Sequence, residues 1–275
     1  MRIFGHRPSL TAWIGLAIVA ANIAVALLAP LIAPYGEREV IGDAWADASA
    51  ANWLGTDNIG RDILSRLIYG ARLSIGLSLL ITVLSFAIGI VSGFAAAISG
   101  RWVDTLLSRF VDLLLSMPTL IFAMVVLSTL GTQLHVLIIT IAVLDSPKVF
   151  RLARAVAMNI VALEFVEAAR VRGEGLWWII SREILPNAVP PLVAEFGLRF
   201  CFTFLFIASL SFLGLGIQPP EADWGNMVKD LRDMISLGSP APLYPAGAIA
   251  LLSIGVNFVV DWLLSVHSRS HGDGT

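Results

Sequence analysis

The sequence predicts an all-α membrane protein with six transmembrane helices and both termini cytoplasmic. Three observations predict it. Charged residues make up 14% of the 275-residue chain and hydrophobic ones 57%, whereas a soluble domain carries about 25% charged residues. The apolar residues gather in blocks, several of them as long as the ~20 residues a bilayer-spanning helix needs. Basic residues are divided unequally between the segments that join the blocks, and their excess marks the cytoplasmic side.

Met1 to Leu10 is short and basic through Arg2 and Arg7, and an apolar run follows from Thr11 to Ala33. That run exceeds the ~7–15 residues of a signal-peptide core, so residues 1–34 read as an N-terminal segment with an uncleaved first span. Residues 35–72 read as an extracytoplasmic segment ending in an interfacial amphipathic helix. In it, Asp57 or Asn58 caps the helix, Ile59, Ile63, Leu67 and Ile68 form the apolar face, and Asp57/Arg61 and Asp62/Arg66 are solvated i,i+4 pairs.

Residues 73–266 read as a five-helix core. Leu73–Ile98 is the second span, with Ser85, Gly89, Gly93 and Ala97 as a small-xxx-small stripe that lets another helix approach closely. The third span covers about Leu106–Leu130. Arg109 pairs with Asp112 near its start, and Pro118 bends it. The fourth begins at Leu134 and is interrupted at Asp145-Ser146-Pro147-Lys148. The fifth runs from about Pro190 to Gly214 and carries Glu195 and Arg199 at a favourable i,i+4 spacing. A polar connection, Ile217–Leu243, is anchored by Trp224, Val228 and Leu231. The sixth span is about Tyr244–Val266, and residues 267–275 form a cytoplasmic tail.

Between the fourth and fifth spans lies a cytoplasmic loop, residues 158–189, whose charged part runs from Glu164 to Pro186. Phe165–Val171 reads as a short helix in which Ala168 and Ala169 leave room for another surface. Gly173 and Gly175 break it. Leu176, Trp177, Ile180 and Ile184 then form a helical stripe that Pro186 terminates.

Glu167-Ala168-Ala169, Gly173 and Ile184-Leu185-Pro186 resemble the EAA loop of permease subunits of bacterial ABC importers, although this chain has Glu183 where the family pattern sets its isoleucine. Gly55-Thr56-Asp57 with Gly60-Arg61-Asp62 is similar to a signature of the dipeptide, oligopeptide and nickel branch. The run Leu210–Gly216, followed by Gln218-Pro219-Pro220 and Trp224-Gly225, is similar to that branch as well. The likeness extends from Trp53 to Asp261, and Leu264-Ser265 departs from the usual Arg-Asp.

The resemblance implies the C-type permease subunit of that branch, a type I importer fold and a multi-pass place in the bacterial inner membrane. It implies as partners a homologous second permease, two ATPases that bind ATP and Mg, and an extracytoplasmic substrate-binding protein. The loop would be the docking surface for an ATPase. The cargo would be a peptide or a related small solute: a dipeptide, oligopeptide, glutathione, opine or nickel chelate.

The chain itself carries no phosphate-binding Gly-x-x-x-x-Gly-Lys-Ser/Thr loop, no His-Glu-x-x-His and no Gly-x-Ser-x-Gly. No catalytic residue, metal site or cofactor of its own is therefore expected. A net charge of −2 offers nothing to nucleic acid. Arg109, Asp112, Asp145, Glu195, Arg199 and Asp261 are candidate pathway or gate residues, because ionisable groups are costly in lipid and tend to be functional. Asp145 and Asp261 would be the coupling groups of the rival class, a proton- or sodium-driven secondary transporter. A structural subunit with no solute path is a third class.

Overall fold

The structure is a computed structural model that describes residues 9–272, with side chains from 9 to 265. Arg2, Arg7 and the tail 267–275, which entered the orientation argument, lie outside the described side chains. The helices are α1 (Leu10–Ile32), α2 (Ile63–Ile98), α3 (Arg101–Leu115), α4 (Thr119–Leu130), α5 (Leu134–Val161) and α6 (Glu164–Val171). They are followed by α7 (Leu176–Phe212), α8 (Trp224–Leu231) and α9 (Leu243–Gly272). Helices α1, α2, α7 and α9 are each long and apolar enough to cross a membrane, and α3 with α4 makes a fifth if the bent pair is one span.

The small residues decide how the helices meet. A Cβ at Gly89 would lie 2.6 Å from Val149 Cβ, and one at Gly93 would lie 2.9 Å from Ala153 Cβ. Helices α2 and α5 thus run side by side in the same direction, as the stripe predicts. Helix α1 crosses α9 where Gly15 and Gly255 bring the backbones together. Helix α7 runs opposite to α2, with Phe196 edge-on to Phe86 at 5.0 Å, and Phe204 near Trp224 of the α8 connection.

This arrangement gives the bundle two distinct ends. At one end, residues 35–62 and α8 cover the start of α2: Tyr35 N donates to Ser65 Oγ, and Trp224 Nε1 donates to Leu67 O at 2.8 Å. At the other end, Phe94 and Ile98 of α2 pack with Val166, Ala169 and Ile179 of the charged loop.

Several boundaries differ from the sequence reading, each for a physical reason. No amphipathic helix precedes α2. Residues 57–62 form a tight turn, and α2 starts at Ile63 because Asp62, not Asp57 or Asn58, caps it by accepting from Ser65 N at 2.7 Å. Ile59 is exposed. The third span is two helices bent by 86° at Ser116–Pro118.

Two prolines expected to break helices do not. Helix α5 passes through Pro147 because Ser146 Oγ donates to Val143 O, the carbonyl that a proline at 147 leaves without its N–H. Helix α7 passes through Pro186 because Ile179–Ile184 winds as a wider π-turn, with Leu185 N reaching Ile180 O. The widened turn accommodates the ring.

In the polar connection, Trp224 and Leu231 are buried anchors and Val228 is only partly covered. Asp223 caps α8 and accepts from Ser74 Oγ at 2.7 Å. Burial pushes its carboxyl above the ordinary carboxylate range.

Candidate functional site

The loop that joins α5 to α7 is a rigid elbow. Helix α6 carries Glu164 and Glu167 in its first turn and Arg170 in its last, matching the helix dipole at both ends. Gly173 N donates to Arg170 O at 2.9 Å and Glu174 N to Ala169 O at 3.2 Å. That is the Schellman closure, and it needs a left-handed residue at Gly173, whose φ is +83°. A Cβ at Gly173 would meet nothing within 4 Å. Within the chain, the glycine is therefore required by backbone angle and not by crowding.

Only one of the paired alanines faces outward. Val166 and Ala169 are fully buried against α2 and α5, while Glu167 and Ala168 are exposed. After the elbow, Ile179 and Ile184 join the same core, and Leu176 and Trp177 stay exposed. Arg172 lies over the Trp178 ring at 5.8 Å. Leu185 and Pro186 are exposed beside the wide turn. The outward surface thus combines Glu167, Ala168, Arg170, Val171 and Trp177, a mixed polar and apolar face on a fixed frame.

At mid-helix, α5 and α7 bring four charges together. Arg199 and Glu195 are 2.6 Å apart, Lys148 Nζ is 3.1 Å from Asp145 Oδ1, and Arg199 is 3.8 Å from Asp145. Asp145 therefore has two cationic neighbours, Lys148 from its own helix and Arg199 from α7. Helix periodicity gives Glu195–Arg199 and sets Lys148 one turn from Asp145, but Arg199 reaches Asp145 only through tertiary packing. Burial of such a group is tolerable because it is paired.

The other candidates do not join this cluster. Asp112 pairs with Arg151 at 2.7 Å and not with Arg109, because α3 turns that carboxylate toward α5. Among the described residues Arg109 forms no ion pair, and it is exposed. About two turns before Asp112, Asp104 takes a two-pronged contact from Arg154 at 2.5 and 2.6 Å. This rung joins residues 50 apart in the chain, so no local spacing signals it. Asp261 sits exposed on α9, apart from the four charges.

The signature residues form a knot that seals the opposite end. Asp57 Oδ1 accepts from Ile59 N and Arg61 N, both at 3.0 Å, and Oδ2 faces Arg61 Nε at 2.7 Å and Arg66 Nε at 3.5 Å. Arg66 was expected beside Asp62, but the cap holds Asp62 to Ser65. These charges are almost wholly buried and not solvated, with side-chain exposures of 5% for Arg61 and Asp57. Thr56 Oγ1 donates to Asp43 O and accepts from Ala46 N. Gly55 and Gly60 have φ of +81° and +84°, and a side chain at either would strike the backbone of Ala46 or Gly42. The knot therefore positions residues 35–62 on the start of α2.

Known proteins share both the sequence and the fold. The dipeptide transport system permease protein DppC of Alkalihalophilus pseudofirmus is 35% identical over 252 residues, covering 91% of this chain and 83% of that protein. The glutathione transport system permease protein GsiD of Pectobacterium atrosepticum is 32% identical over 243 residues, covering 88% and 81%. The solved structure described as an amino acid ABC transporter with histidines superposes with a TM-score of 0.53 at 20% identity, over 74% of this chain and 94% of that one, which bears on fold alone. The family described as binding-protein-dependent transport system inner membrane component matches residues 86–271, the part that holds the elbow and the charge cluster. The chain belongs to that family: it is a permease subunit of an ABC importer.

Proposed function

We propose that this chain forms half of the path by which an ATP-driven importer moves short peptides or related solutes across a bacterial inner membrane. The chain is a transport subunit and not an enzyme. Its relatives are named for dipeptides and for glutathione, so the peptide backbone is the shared chemistry. The broader family implies ATPase and substrate-binding partners. The finer reading adds a homologous second permease, two ATPases and an extracytoplasmic binding protein, with ATP and Mg held by the ATPases.

In this reading α1, α2, the bent α3–α4 pair, α5, α7 and α9 make six passes, with both termini cytoplasmic. The alternating directions of the packed helices support it, as does the gathering of Arg101, Arg170, Arg172 and Arg182 at the end that holds the elbow. The observation that carries the proposal is the elbow itself. Helix α6 is buried by Val166 and Ala169, held by the Gly173 closure, and free on its Glu167–Ala168 side to meet a partner. An ATPase seated there would move the ends of α5 and α7 together, a rigid-body change between two packed states.

The test is reconstitution. The purified chain alone should hydrolyse no ATP above a mock preparation, and hydrolysis with peptide uptake should appear when the ATPases, second permease and binding protein are added. Uptake driven by a proton or sodium gradient without ATPases would reverse the assignment. The paired state of Asp145 and the exposed position of Asp261 on α9 do not favour that rival.

A further inference from the structure

Two of the four charges at the centre of α5 and α7, Asp145 and Lys148, line a cavity of about 100 Å³ together with Thr203, Thr119 and the rings of Phe202 and Phe206. Two polar atoms on this lining are buried without a hydrogen-bond partner: Asp145 Oδ2 and Thr203 Oγ1. Both residues are more than nine-tenths buried, with exposures of 6% and 2%. An unpaired carboxylate oxygen is the costliest kind of buried acceptor. It asks for a donor, and the adjoining hydroxyl can supply a second acceptor to the same group.

We propose that the cavity receives a primary ammonium group of the transported solute, an inference that rests on the importer reading above. Asp145 Oδ2 and Thr203 Oγ1 would accept its N–H groups, and the aromatic lining suits a cation. The space suffices, since an ammonium head is close in size to one water, roughly 30 Å³. An anion would instead meet the free Oδ2 at short range. Arg199 does not fill the role, because its guanidinium is held by Glu195 at 2.6 Å and lies over Phe202 at 4.9 Å.

Lys148 acts as a resident substitute. It engages only Oδ1, from the same helix, and 38% of its side chain is exposed. It can swing away as the solute's ammonium arrives, so its removal should favour binding.

The test uses the full complex in nanodiscs without binding protein, with Cys201→Ser and Thr119→Cys. The rate at which a small thiol reagent modifies position 119 is followed with three peptides. Alanyl-alanine carries an α-ammonium, N-acetyl-alanyl-lysine only a side-chain ammonium, and N-acetyl-alanyl-alanine neither. Protection by the first two supports a general ammonium site, and protection by the first alone supports recognition of the peptide amino terminus. Asp145→Asn or Thr203→Val should weaken that protection about tenfold, the value of one charge-assisted hydrogen bond. Lys148→Met should preserve or strengthen it.

Equal protection by all three peptides, protection by none, or its loss in Lys148→Met would overturn the proposal. Binding-protein-stimulated ATP hydrolysis, measured on the same preparation, separates this failure from failure of the importer reading. Intact hydrolysis without ammonium protection refutes the ammonium site alone.

Discussion

Gly89 of α2 lies against Val149 of α5 so closely that any side chain at 89 would displace α5: an added Cβ falls 2.6 Å from Val149 Cβ and 2.9 Å from Phe150 N. The contact lies between the charge cluster on α5 and the elbow at its end. Gly89→Leu should destabilise the purified complex by about 1–3 kcal/mol, the usual cost of overpacking, read as a lower melting midpoint. Gly76→Ala is the control, because a Cβ there meets nothing within 4 Å. It should melt like the parent or slightly higher. Equal effects at 76 and 89 would mean that the α2–α5 seam is not close-packed.

Asp57→Ala should be far more damaging than Asp112→Ala. The first leaves Arg61 and Arg66 as buried guanidiniums without their carboxylate, a loss of about 3–5 kcal/mol. The second breaks a pair whose side chains are 59% and 58% exposed, worth about 0–1 kcal/mol. Thermal melting of the two variants should rank them in that order. A mild Asp57→Ala would show that the turn is held by its backbone alone.

What the sequence made legible is what local spacing encodes. The small-residue stripe on α2, the elbow at Gly173 and the Glu195–Arg199 pair all follow from helical period or backbone angle. The missed features depend on residues far apart in the chain. Arg151 takes Asp112 from Arg109, and Arg199 reaches Asp145 across two helices. Pro147 and Pro186 look like helix stops by local rule, yet a serine hydroxyl and a π-turn replace what each ring removes. The signature residues at 55–62 were recognisable as a pattern, but spacing alone gave them to a solvated helix when they fold as a buried turn.

Glu37 provides a pH test at the end opposite the elbow. Burial, then the nearby Glu221, raise its carboxyl above the ordinary value, with the adjacent Arg38 opposing. An acid whose folded value is raised binds its proton more tightly when folded. Its contribution therefore favours the fold at low pH and is lost as pH climbs through the carboxylate range. Glu37→Gln should raise the melting midpoint at pH 7, and this advantage should shrink as the parent's own carboxyl becomes protonated. A constant advantage across that range would mean that ionisation of Glu37 is not its source.

Topology can be read with single cysteines in a Cys201→Ser background. Glu174→Cys should be shielded from an impermeant thiol reagent in intact cells, and Asp233→Cys should be labelled. Asp233 is the better outer reporter, with 79% of its side chain exposed, whereas Asn226 is buried at 3% and would resist labelling on either side. The opposite pattern would invert the bundle and place the elbow outside.

The elbow admits a sharper test than simple disruption, because the requirement at Gly173 is angular. With φ at +83° and no atom near an added Cβ, substitution costs backbone strain without a clash inside the chain. A β-branched residue suffers most in that region, while asparagine tolerates it. Gly173→Val should therefore open the closure made by Arg170 O and Ala169 O, tilt α6 and loosen the Glu167–Ala168 face. Gly173→Asn should keep all three. Membrane abundance and pairing with the second permease should be unchanged in both variants, since the lesion lies outside the spans. In Gly173→Val the bound ATPase should fall, or hydrolysis should run with less uptake per ATP; in Gly173→Asn both should stay near the parent. If the two variants lose coupling equally, the partner surface must itself crowd position 173. If neither loses it, ATPase movement is not transmitted through this elbow.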